Sequence, residues 1–406
     1  MRIGMLADVY KPYISGVTNH ISLTKKYLEK AGHEVFVFTF GDKDYEDDEP
    51  NVIRSAGLPL NFPLADIDVQ INVRFKWEAQ ELLHSMDVVH VHHPVISSRL
   101  AQRYCKIRGI PIVFTSHTRY DLYTQAYLPW MPEAVGETFL RSYLPNFFKT
   151  VDMVIAPSKG MKEVLNNLGV SSPIDVVPNG VDLSRIQNIG NPIKRSQFGF
   201  KRDQIVLTYV GRLGPEKNLP FLLHSFYGVS KAYENVRLLV LGEGPEHEKL
   251  AEQAQEMGIA DKVHFTGLIP YEQMPRYLMA SDIFVTPSVT EVHPLTVIEA
   301  MAAGVPVMGI DSPGVSDTII DGRSGFLAPN DIAAFTAKLI RLVTDHKLRQ
   351  RMAKTAKKDV EAFAIERTSR LLLDKYQEVI ERKKQQKPRW ITDVVKSVDK
   401  LLDDFA

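Results

Sequence analysis

Short apolar runs alternate with helical patterns along this chain, and the alternation occurs twice. The first series of apolar runs covers residues 3–7, 34–40, 88–92, 112–115 and 153–156. The second covers residues 205–210, 237–241, 262–265, 283–286 and 306–309. Strands that alternate with helices form parallel sheets, whose ligand crevices lie at the carboxyl ends of the strands. We therefore predict an α/β protein with two doubly wound, Rossmann-like domains that face each other across a deep cleft.

The break between the two series lies in residues 183–202, which carry Gly190, Asn191, Pro192 and mixed charge. A chain of 406 residues also exceeds the size of one hydrophobic core. The predicted domains are an N-terminal domain at 1–190, a second domain at 191–365, and C-terminal helices at 366–406. We expect these helices to return to the N-terminal domain and to end in an amphipathic tail at 390–406.

Composition narrows the functional classes. The formal net charge is zero, which argues against bulk nucleic-acid binding. The single cysteine, Cys105, rules out an internal disulfide framework and fits a reducing cytoplasm. The N-terminus lacks a signal-peptide pattern, and no run of eighteen apolar residues occurs. We expect a cytoplasmic protein that contacts a membrane, if at all, from the inner face.

Two glutamates flank a predicted helix start. Pro294 suits the first position of a helix over 295–303, and Gly304 suits its end. Glu291 then lies in the preceding loop and Glu299 inside the helix, with the first-turn amides of Leu295 and Thr296 between them. Such amides favour an anion, so the order fits a ligand with hydroxyls, phosphate and further hydroxyls, as in a nucleotide-sugar. An amphipathic helix with two solvated glutamates is the alternative.

A second loop supplies cations. Arg212 and Lys217 follow the strand predicted at 205–210, and together they suit a diphosphate. A solvated surface loop is the alternative. In the first domain, Gly16 lies between a strand and its helix, where it allows a phosphate to approach the backbone. The dinucleotide pattern Gly-x-Gly-x-x-Gly is absent here, and His247 replaces its third glycine after Gly242 and Gly244. A nicotinamide or flavin enzyme is therefore disfavoured, and no cofactor is expected.

The histidines and aspartates indicate a functional site less strongly than the two glutamates and the cationic loop do. His117 follows the strand at 112–115, where ligands bind, although a core or capping histidine is the alternative. His92 and His93 lack a nearby cysteine or regularly spaced carboxylate, so we expect no metal there. The Asp-x-Asp pairs at 42–44 and 66–68 lie in loops rich in proline and aspartate, which indicates solvated surface. No Gly-x-Ser-x-Gly elbow occurs.

These residues resemble retaining glycosyltransferases of family 4, which have the GT-B fold of two facing Rossmann-like domains. The resemblance runs over nearly the whole chain and rests on Ser15-Gly16-Val17, Ser116-His117-Thr118, Pro178-Asn179-Gly180-Val181-Asp182, Gly211-Arg212 with Glu216-Lys217-Asn218, Leu241-Gly242-Glu243-Gly244-Pro245, and Glu291 to Glu299 with Ala300-Met301-Ala302-Ala303-Gly304. The combination is highly specific, although each segment alone is not.

The resemblance implies a role for each matched residue. Glu291 is expected on the donor hexose and Glu299 on the ribose, while Arg212, Lys217 and the Gly16 backbone hold the diphosphate. His117 is expected beside the 6-hydroxyl near the anomeric carbon. No metal is expected. Two departures from the common pattern are Val292-His293-Pro294 in place of Gly-Phe-Gly, and Ser15-Gly16 in place of a double glycine.

The resemblance also implies a front-face mechanism, in which the departing phosphate takes the acceptor's proton. The segments Val91-His92-His93-Pro94 and 116–123 resemble the subgroup that glucosylates diacylglycerol at bacterial membranes. This implies UDP-glucose as donor and a lipid acceptor near Tyr120, Asp121, Tyr123 and Trp130. The cationic and aromatic segment 74–77 is typical of bilayer surfaces. The alternatives are a phosphatidylinositol mannosyltransferase that uses GDP-mannose, a transferase with a soluble sugar acceptor, a sugar-nucleotide epimerase and a non-catalytic carbohydrate-binding relative.

Overall fold

The chain folds around two parallel sheets, each with helices between its strands. A computed structural model describes residues 1–41, 45–55, 75–94, 96–119, 122 and 147–386, and the backbone of 58–60 and 69–71. The strands of the first sheet are β1 (Arg2–Leu6), β2 (Glu34–Phe40), β3 (Val52–Ser55), β6 (Val88–Val91), β7 (Ile112–Thr115), β8 (Met153–Ala156) and β9 (Ile174–Val176). A short antiparallel pair, β4 (Leu58–Leu60) and β5 (Val69–Ile71), lies outside this sheet.

The second sheet repeats the plan. Its strands are β10 (Ile205–Val210), β11 (Val236–Leu241), β12 (Val263–Phe265), β13 (Ile283–Thr286), β14 (Val307–Ile310) and β15 (Gly325–Ala328). The strand orders are β3-β2-β1-β6-β7-β8-β9 and β12-β11-β10-β13-β14-β15. In both sheets the order reverses beside the first strand, which is the doubly wound arrangement. The predicted pair of doubly wound domains is therefore confirmed.

Helices join the strands. Those between strands of the first sheet are Gly16–Lys30, Trp77–His84, Ile96–Arg108 and Lys159–Asn167. The helices of the second half are Leu183–Gln187, Leu219–Ala232, His247–Glu256, Met274–Leu278, Leu295–Ala303, Val315–Thr318, Ile332–Thr344, His346–Asp359 and Ile365–Gln386. None of the helices in the described part of the chain has the length and apolar character that a bilayer span needs.

The Ile365–Gln386 helix returns to the first sheet. Tyr376, which is fully buried on this helix, lies in one core cluster with β1 residues such as Ile3 and Met5. Its hydroxyl is 2.6 Å from His90 Nδ1 on β6. Near the end of the helix, Lys383 Nζ lies 2.6 Å from Asp152 Oδ1. Burial of apolar side chains together with these polar contacts holds the last helix on the N-terminal half.

Two backbone segments cross between the halves side by side. Val181 N–H donates to the Phe363 carbonyl at 2.9 Å, and Ile365 N–H donates to the Val181 carbonyl at 3.0 Å. A Cβ on Gly180 would lie 2.2 Å from Thr368 Oγ1, so the close approach requires glycine. The motif at 178–182 is thus built into the crossing between the two halves.

Candidate active site

The loops that carry Gly16, Arg212, Lys217 and Glu291 follow the strands at which each sheet reverses its order, whereas His117 follows the neighbouring strand β7. In the first sheet these strands are β1 and β6, which precede Gly16 and His92. In the second they are β10 and β13, which precede Lys217 and Glu291. Ligands of doubly wound sheets bind at this position, outside the carboxyl ends of the strands. The topology therefore places the predicted residues where a ligand is expected.

Glu291 and Lys217 form an ion pair. Lys217 Nζ lies 2.7 Å from Glu291 Oε1, and both side chains are about one-fifth exposed, at 18% and 21%. Burial would raise the pKa of Glu291, but the charge of Lys217 and hydrogen bonds from Lys217 and Ser288 together hold this pKa below its ordinary value. Glu291 is therefore an ionised carboxylate with its cation in place.

The Gly211–Lys217 loop rests on the loop that follows β11. A Cβ on Gly242 would lie 1.9 Å from the Gly211 carbonyl oxygen, so only glycine fits there. Leu213 N–H donates to the Glu243 carbonyl at 3.0 Å. The glycines at 242 and 244 thus have a packing role, which fits the prediction that they do not form a dinucleotide site. Arg212 Nη1 lies 3.9 Å from Glu216 Oε1 on this loop.

Gly314 fixes the Glu291 loop from the far side and was not anticipated from the sequence. Its φ is +83°, and a Cβ there would lie 2.6 Å from the Glu291 carbonyl oxygen and 2.5 Å from the Val292 carbonyl carbon. Thr318 Oγ1 donates to the Gly314 carbonyl at 2.7 Å. The role of Gly314 depends on its positive φ and on its direct contact with the Glu291 loop. No local sequence pattern shows such a contact, so the sequence could not reveal this role.

Glu299 is completely buried beneath two side chains. Tyr271 donates its hydroxyl to Glu299 Oε1 at 2.7 Å, and Arg185 Nη2 lies 3.6 Å from the same oxygen. The Arg185 guanidinium stacks 3.8 Å from the centre of the Tyr271 ring. Burial raises the pKa of Glu299 to about 7, against the opposing effects of Tyr271 and Arg185. The predicted ribose contact therefore requires Tyr271 or Arg185 to move aside.

Arg185 and Tyr271 are site residues that the sequence reasoning missed. The Pro-Asn-Gly-Val-Asp motif holds the available signal, since its last residue, Asp182, accepts a hydrogen bond from Arg185 N–H at 3.1 Å. Asp182 thereby caps the Leu183–Gln187 helix and orients Arg185 towards Glu299.

The first-turn amides of a helix have no partner within the helix, and two helix starts lie near the predicted site. At the Gly16 start, Ser15 Oγ accepts from Thr18 N–H at 3.1 Å and leaves the Gly16 and Val17 amides without an intrahelical partner. The helix predicted at 295–303 has those bounds, but Pro294 is the capping residue before it rather than its first residue. Leu295 and Thr296 at its start are half-buried. The Gly16–Lys30 helix starts at Gly16, above which a Cβ would meet nothing within 4 Å. Both starts suit an anion.

His117 follows β7 and meets two other histidines. His92 Nδ1 lies 3.0 Å from His117 Nε2, and the His20 ring centre is 5.0 Å from that of His117. Burial lowers the pKa of His92 and His117 well below the ordinary value, and that of His20 to about 4. His93 is separate from this group, because its Nδ1 accepts from Asp8 N–H at 3.1 Å.

His293 lies where the common pattern has phenylalanine, and it is buried just before the Leu295–Ala303 helix. Its carbonyl accepts from Asn179 Nδ2 at 3.0 Å, and its ring meets Phe363 edge-on at 4.9 Å. Burial, with a smaller contribution from His20, lowers its pKa to about 3. His293 is thus a neutral group that links the Leu295–Ala303 helix to the motif at 178–182.

The predicted acceptor residues Tyr120, Asp121, Tyr123 and Trp130 lie outside the described residues. The same holds for the tail at 390–406 and for most of the two Asp-x-Asp loops. The cationic and aromatic segment 74–77 is only partly a surface, contrary to the prediction. Phe75 is buried in the core at 2% exposure, whereas Lys76 is exposed and Trp77 is 67% exposed.

The chain is similar to known glycosyltransferases. The family model for Glycosyltransferase Family 4 matches residues 14–185, and the model for Glycosyl transferases group 1 matches residues 191–359. Alpha-monoglucosyldiacylglycerol synthase of Streptococcus pneumoniae is 32% identical over 80% of this chain and 75% of its own. The synthase of the same name from Acholeplasma laidlawii is 28% identical over 80% of this chain and 84% of its own.

Solved structures share the architecture. Sucrose-phosphate synthase from Thermosynechococcus elongatus superposes with a TM-score of 0.74 at 21% identity, over 94% of this chain and 99% of its own. Anabaena HepE in complex with UDP-glucose superposes with a TM-score of 0.73 at 19% identity, over 93% of this chain and 100% of its own. The predicted GT-B fold is confirmed.

Proposed function

This chain is a hexosyltransferase of glycosyltransferase family 4, and we propose that it transfers glucose from UDP-glucose to diacylglycerol. We further propose that transfer retains the anomeric configuration and needs no metal. The observation that carries the proposal is the Lys217–Glu291 ion pair at the reversal point of the second sheet, beside an anion-favouring helix start. The names of the two glucosyldiacylglycerol synthases support glucose as the sugar and diacylglycerol as the acceptor.

The donor would lie across the two helix starts. Arg212 and Lys217 bind its diphosphate together with the amides at Leu295, Thr296 and Gly16. An ammonium group has three donors, so Lys217 can hold a phosphate oxygen while it stays paired with Glu291. The open space above Gly16 admits the phosphate from the other side. Glu299 receives the ribose once Tyr271 or Arg185 moves aside.

The ionised state of Glu291 supports a role as a grip on the sugar. A carboxylate paired with a cation at 2.7 Å accepts hydrogen bonds from donor hydroxyls and is a poor base. In the proposed reaction, the bond from the anomeric carbon to the diphosphate breaks and a bond to the acceptor oxygen forms on the same face. The acceptor's proton moves to the departing phosphate oxygen, whose charge Arg212 and Lys217 stabilise. His117 lies beside the sugar.

The acceptor proposal places the N-terminal half on the inner face of the cell membrane as a peripheral protein. Trp77, 67% exposed next to Lys76, supports this placement, because exposed aromatic and cationic side chains favour the bilayer interface. Tyr120, Asp121, Tyr123 and Trp130 are the proposed acceptor contacts.

The test is transfer to diacylglycerol in phospholipid vesicles from a panel of nucleotide-sugars, with products identified by mass spectrometry. We expect glucosyldiacylglycerol from UDP-glucose, and a loss of about 10²-fold or more in Glu291→Gln. Glu256→Gln, an exposed carboxylate of the same half, is the matched control and should keep the wild-type rate. Products formed only on soluble sugars would refute the proposed acceptor. Preferential use of GDP-mannose would refute the proposed donor. A covalent sugar adduct on a side chain would refute the front-face mechanism.

A further inference from the structure

Three histidines from three separate segments lie together beyond the carboxyl ends of the central strands of the first sheet. His20 lies on the Gly16–Lys30 helix, His92 follows β6 and His117 follows β7. One ring nitrogen of each lies within 4.8 Å of the others. We refer to His20, His92 and His117 as the three-histidine cluster. His92 is buried, whereas His20 and His117 are half-buried, so the cluster can be reached from solvent.

Some ring nitrogens of the cluster have no hydrogen-bond partner among the described residues. The His92–His117 contact at 3.0 Å uses one nitrogen of each ring. Among the described residues, His20 Nδ1 and His92 Nε2 are buried and have no hydrogen-bond partner. Buried polar atoms nearly always have one, so unpartnered nitrogens on two rings of one cluster call for an explanation. Burial also keeps all three rings neutral at pH 7, which is the form that binds metals.

The spacing suits a transition metal after a small adjustment. A tetrahedral zinc ion with bonds of about 2.0–2.1 Å needs ligand nitrogens about 3.4 Å apart. One nitrogen of each ring already lies within 4.8 Å of the others, and separations of this size close with side-chain rotations of little more than an ångström. Three imidazoles with a fourth position open to water form a known zinc arrangement. Magnesium and calcium prefer oxygen ligands and are not expected here.

We propose that His20, His92 and His117 bind one zinc-class divalent transition metal, and that the bound metal inhibits sugar transfer. The binding site stands on the geometry alone. The inhibition rests on the proposed function, because the metal occupies a nitrogen of His117 and places positive charge beside the donor sugar. Each ring binds the metal through the lone pair of one nitrogen and keeps its proton on the other, so the cluster stays neutral.

The binding test uses the full chain without a polyhistidine tag. Zn²⁺ is titrated in competition with a coloured chelator, and one ion per chain is expected. His20→Gln should weaken the affinity by about tenfold or more, because one of three ligands is lost. His92→Gln should do the same, and thermal unfolding shows whether each variant is folded. His93→Gln is the matched control, since it removes a neighbouring imidazole that faces Asp8 instead.

The inhibition test measures glucosyl transfer as Zn²⁺ is added, each variant relative to its own metal-free rate. The wild type should lose activity as the site fills and regain it with a chelator, while His20→Gln stays active at the same zinc concentration. Equal affinity in wild type and His20→Gln, or no binding at about 100 μM, would overturn the site. Stoichiometric binding without any effect on transfer would overturn the inhibition. A chain that binds zinc through His20 but transfers no sugar supports the site and refutes the proposed function.

Discussion

Gly314 offers a direct test of how the Glu291 loop is positioned. The substitution Gly314→Ala places a methyl group 2.6 Å from the Glu291 carbonyl oxygen and 2.5 Å from the Val292 carbonyl carbon. Ordinary contacts are 3.4–4 Å, so the two segments must separate by about an ångström. Gly314 cannot simply retreat, because its carbonyl accepts from Thr318 Oγ1 and its φ of +83° already disfavours a side chain. The Glu291 loop must therefore move.

The substitution should lower both the folding stability and the transfer rate, for different reasons. An alanine forced to a positive φ costs about 1–3 kcal/mol of folding free energy. For a domain of this size, each kcal/mol lowers Tm by about 2–4 °C. Displacement of a substrate-positioning carboxylate by about 1 Å costs about 10²-fold in rate. We expect Gly314→Ala to remain folded, with Tm lower by several degrees and kcat/KM lower by about 10²-fold.

Gly322→Ala separates the two costs. Gly322 also has a positive φ, of +75°, but a Cβ there would meet nothing within 4 Å. This variant should lose similar stability and keep its activity. The measurements are thermal unfolding and glucosyl transfer at saturating and limiting donor. If folded Gly314→Ala transfers sugar as fast as Gly322→Ala, Gly314 does not set the position of Glu291.

Three further predictions concern buried polar groups. Lys217→Met leaves Glu291 without its cation and should cost about 1–3 kcal/mol in urea unfolding at pH 7. Because Lys217 helps to hold the pKa of Glu291 below its ordinary value, the difference from wild type should vanish as pH falls through that lowered pKa. Burial raises the pKa of Glu299 to about 7, so the folded protein binds an extra proton between about pH 4.5 and 7. The unfolding free energy of wild type should therefore fall relative to Glu299→Gln by up to about 3 kcal/mol as pH rises across that range, and a constant difference would contradict it. Tyr376→Phe removes the hydrogen-bond partner of buried His90 Nδ1, while Thr115 remains on Nε2, and should cost about 1–2 kcal/mol in thermal unfolding, with donor KM unchanged. A large change in KM would show that this contact reaches the site.

The central strands could be predicted closely because a strand buried on both faces is a continuous apolar run. The bounds at 34–40, 112–115, 153–156, 205–210 and 283–286 match the structure. Three predicted strands differ by one residue at one end, and those at 3–7 and 306–309 are shifted by one residue. The short β4–β5 pair was missed, and so were β3, β9 and β15 of the two parallel sheets. All three lie at sheet edges, and β3 and β9 are mostly half-buried, so they lack a long apolar run. The first of the C-terminal helices, predicted from residue 366, begins at Ile365 and ends at Gln386.

The sequence could predict the site residues that lie on a loop directly after a recognisable strand. Glu291 and Lys217 were placed in one crevice from the strand pattern, and the structure joins them at 2.7 Å. Their direct pairing was not predicted, because it depends on which strands are neighbours in space. The same limit applies to Arg185 and Tyr271, which reach Glu299 from a different helix and a different loop. The predicted roles of these residues towards the donor stay predictions.

The motif at 178–182 shows how one short segment joins the two halves at the site. Gly180 allows the two crossing segments to touch, since any side chain would meet Thr368. Asn179 Nδ2 donates to the carbonyl of His293, just before the Leu295–Ala303 helix, and Asp182 orients Arg185 over Glu299. Two residues of the motif thus make or orient a contact with the second half. We predict that any closure of the two halves and the arrangement around Glu299 change together, because hinge motion concentrates in a few residues at such crossings.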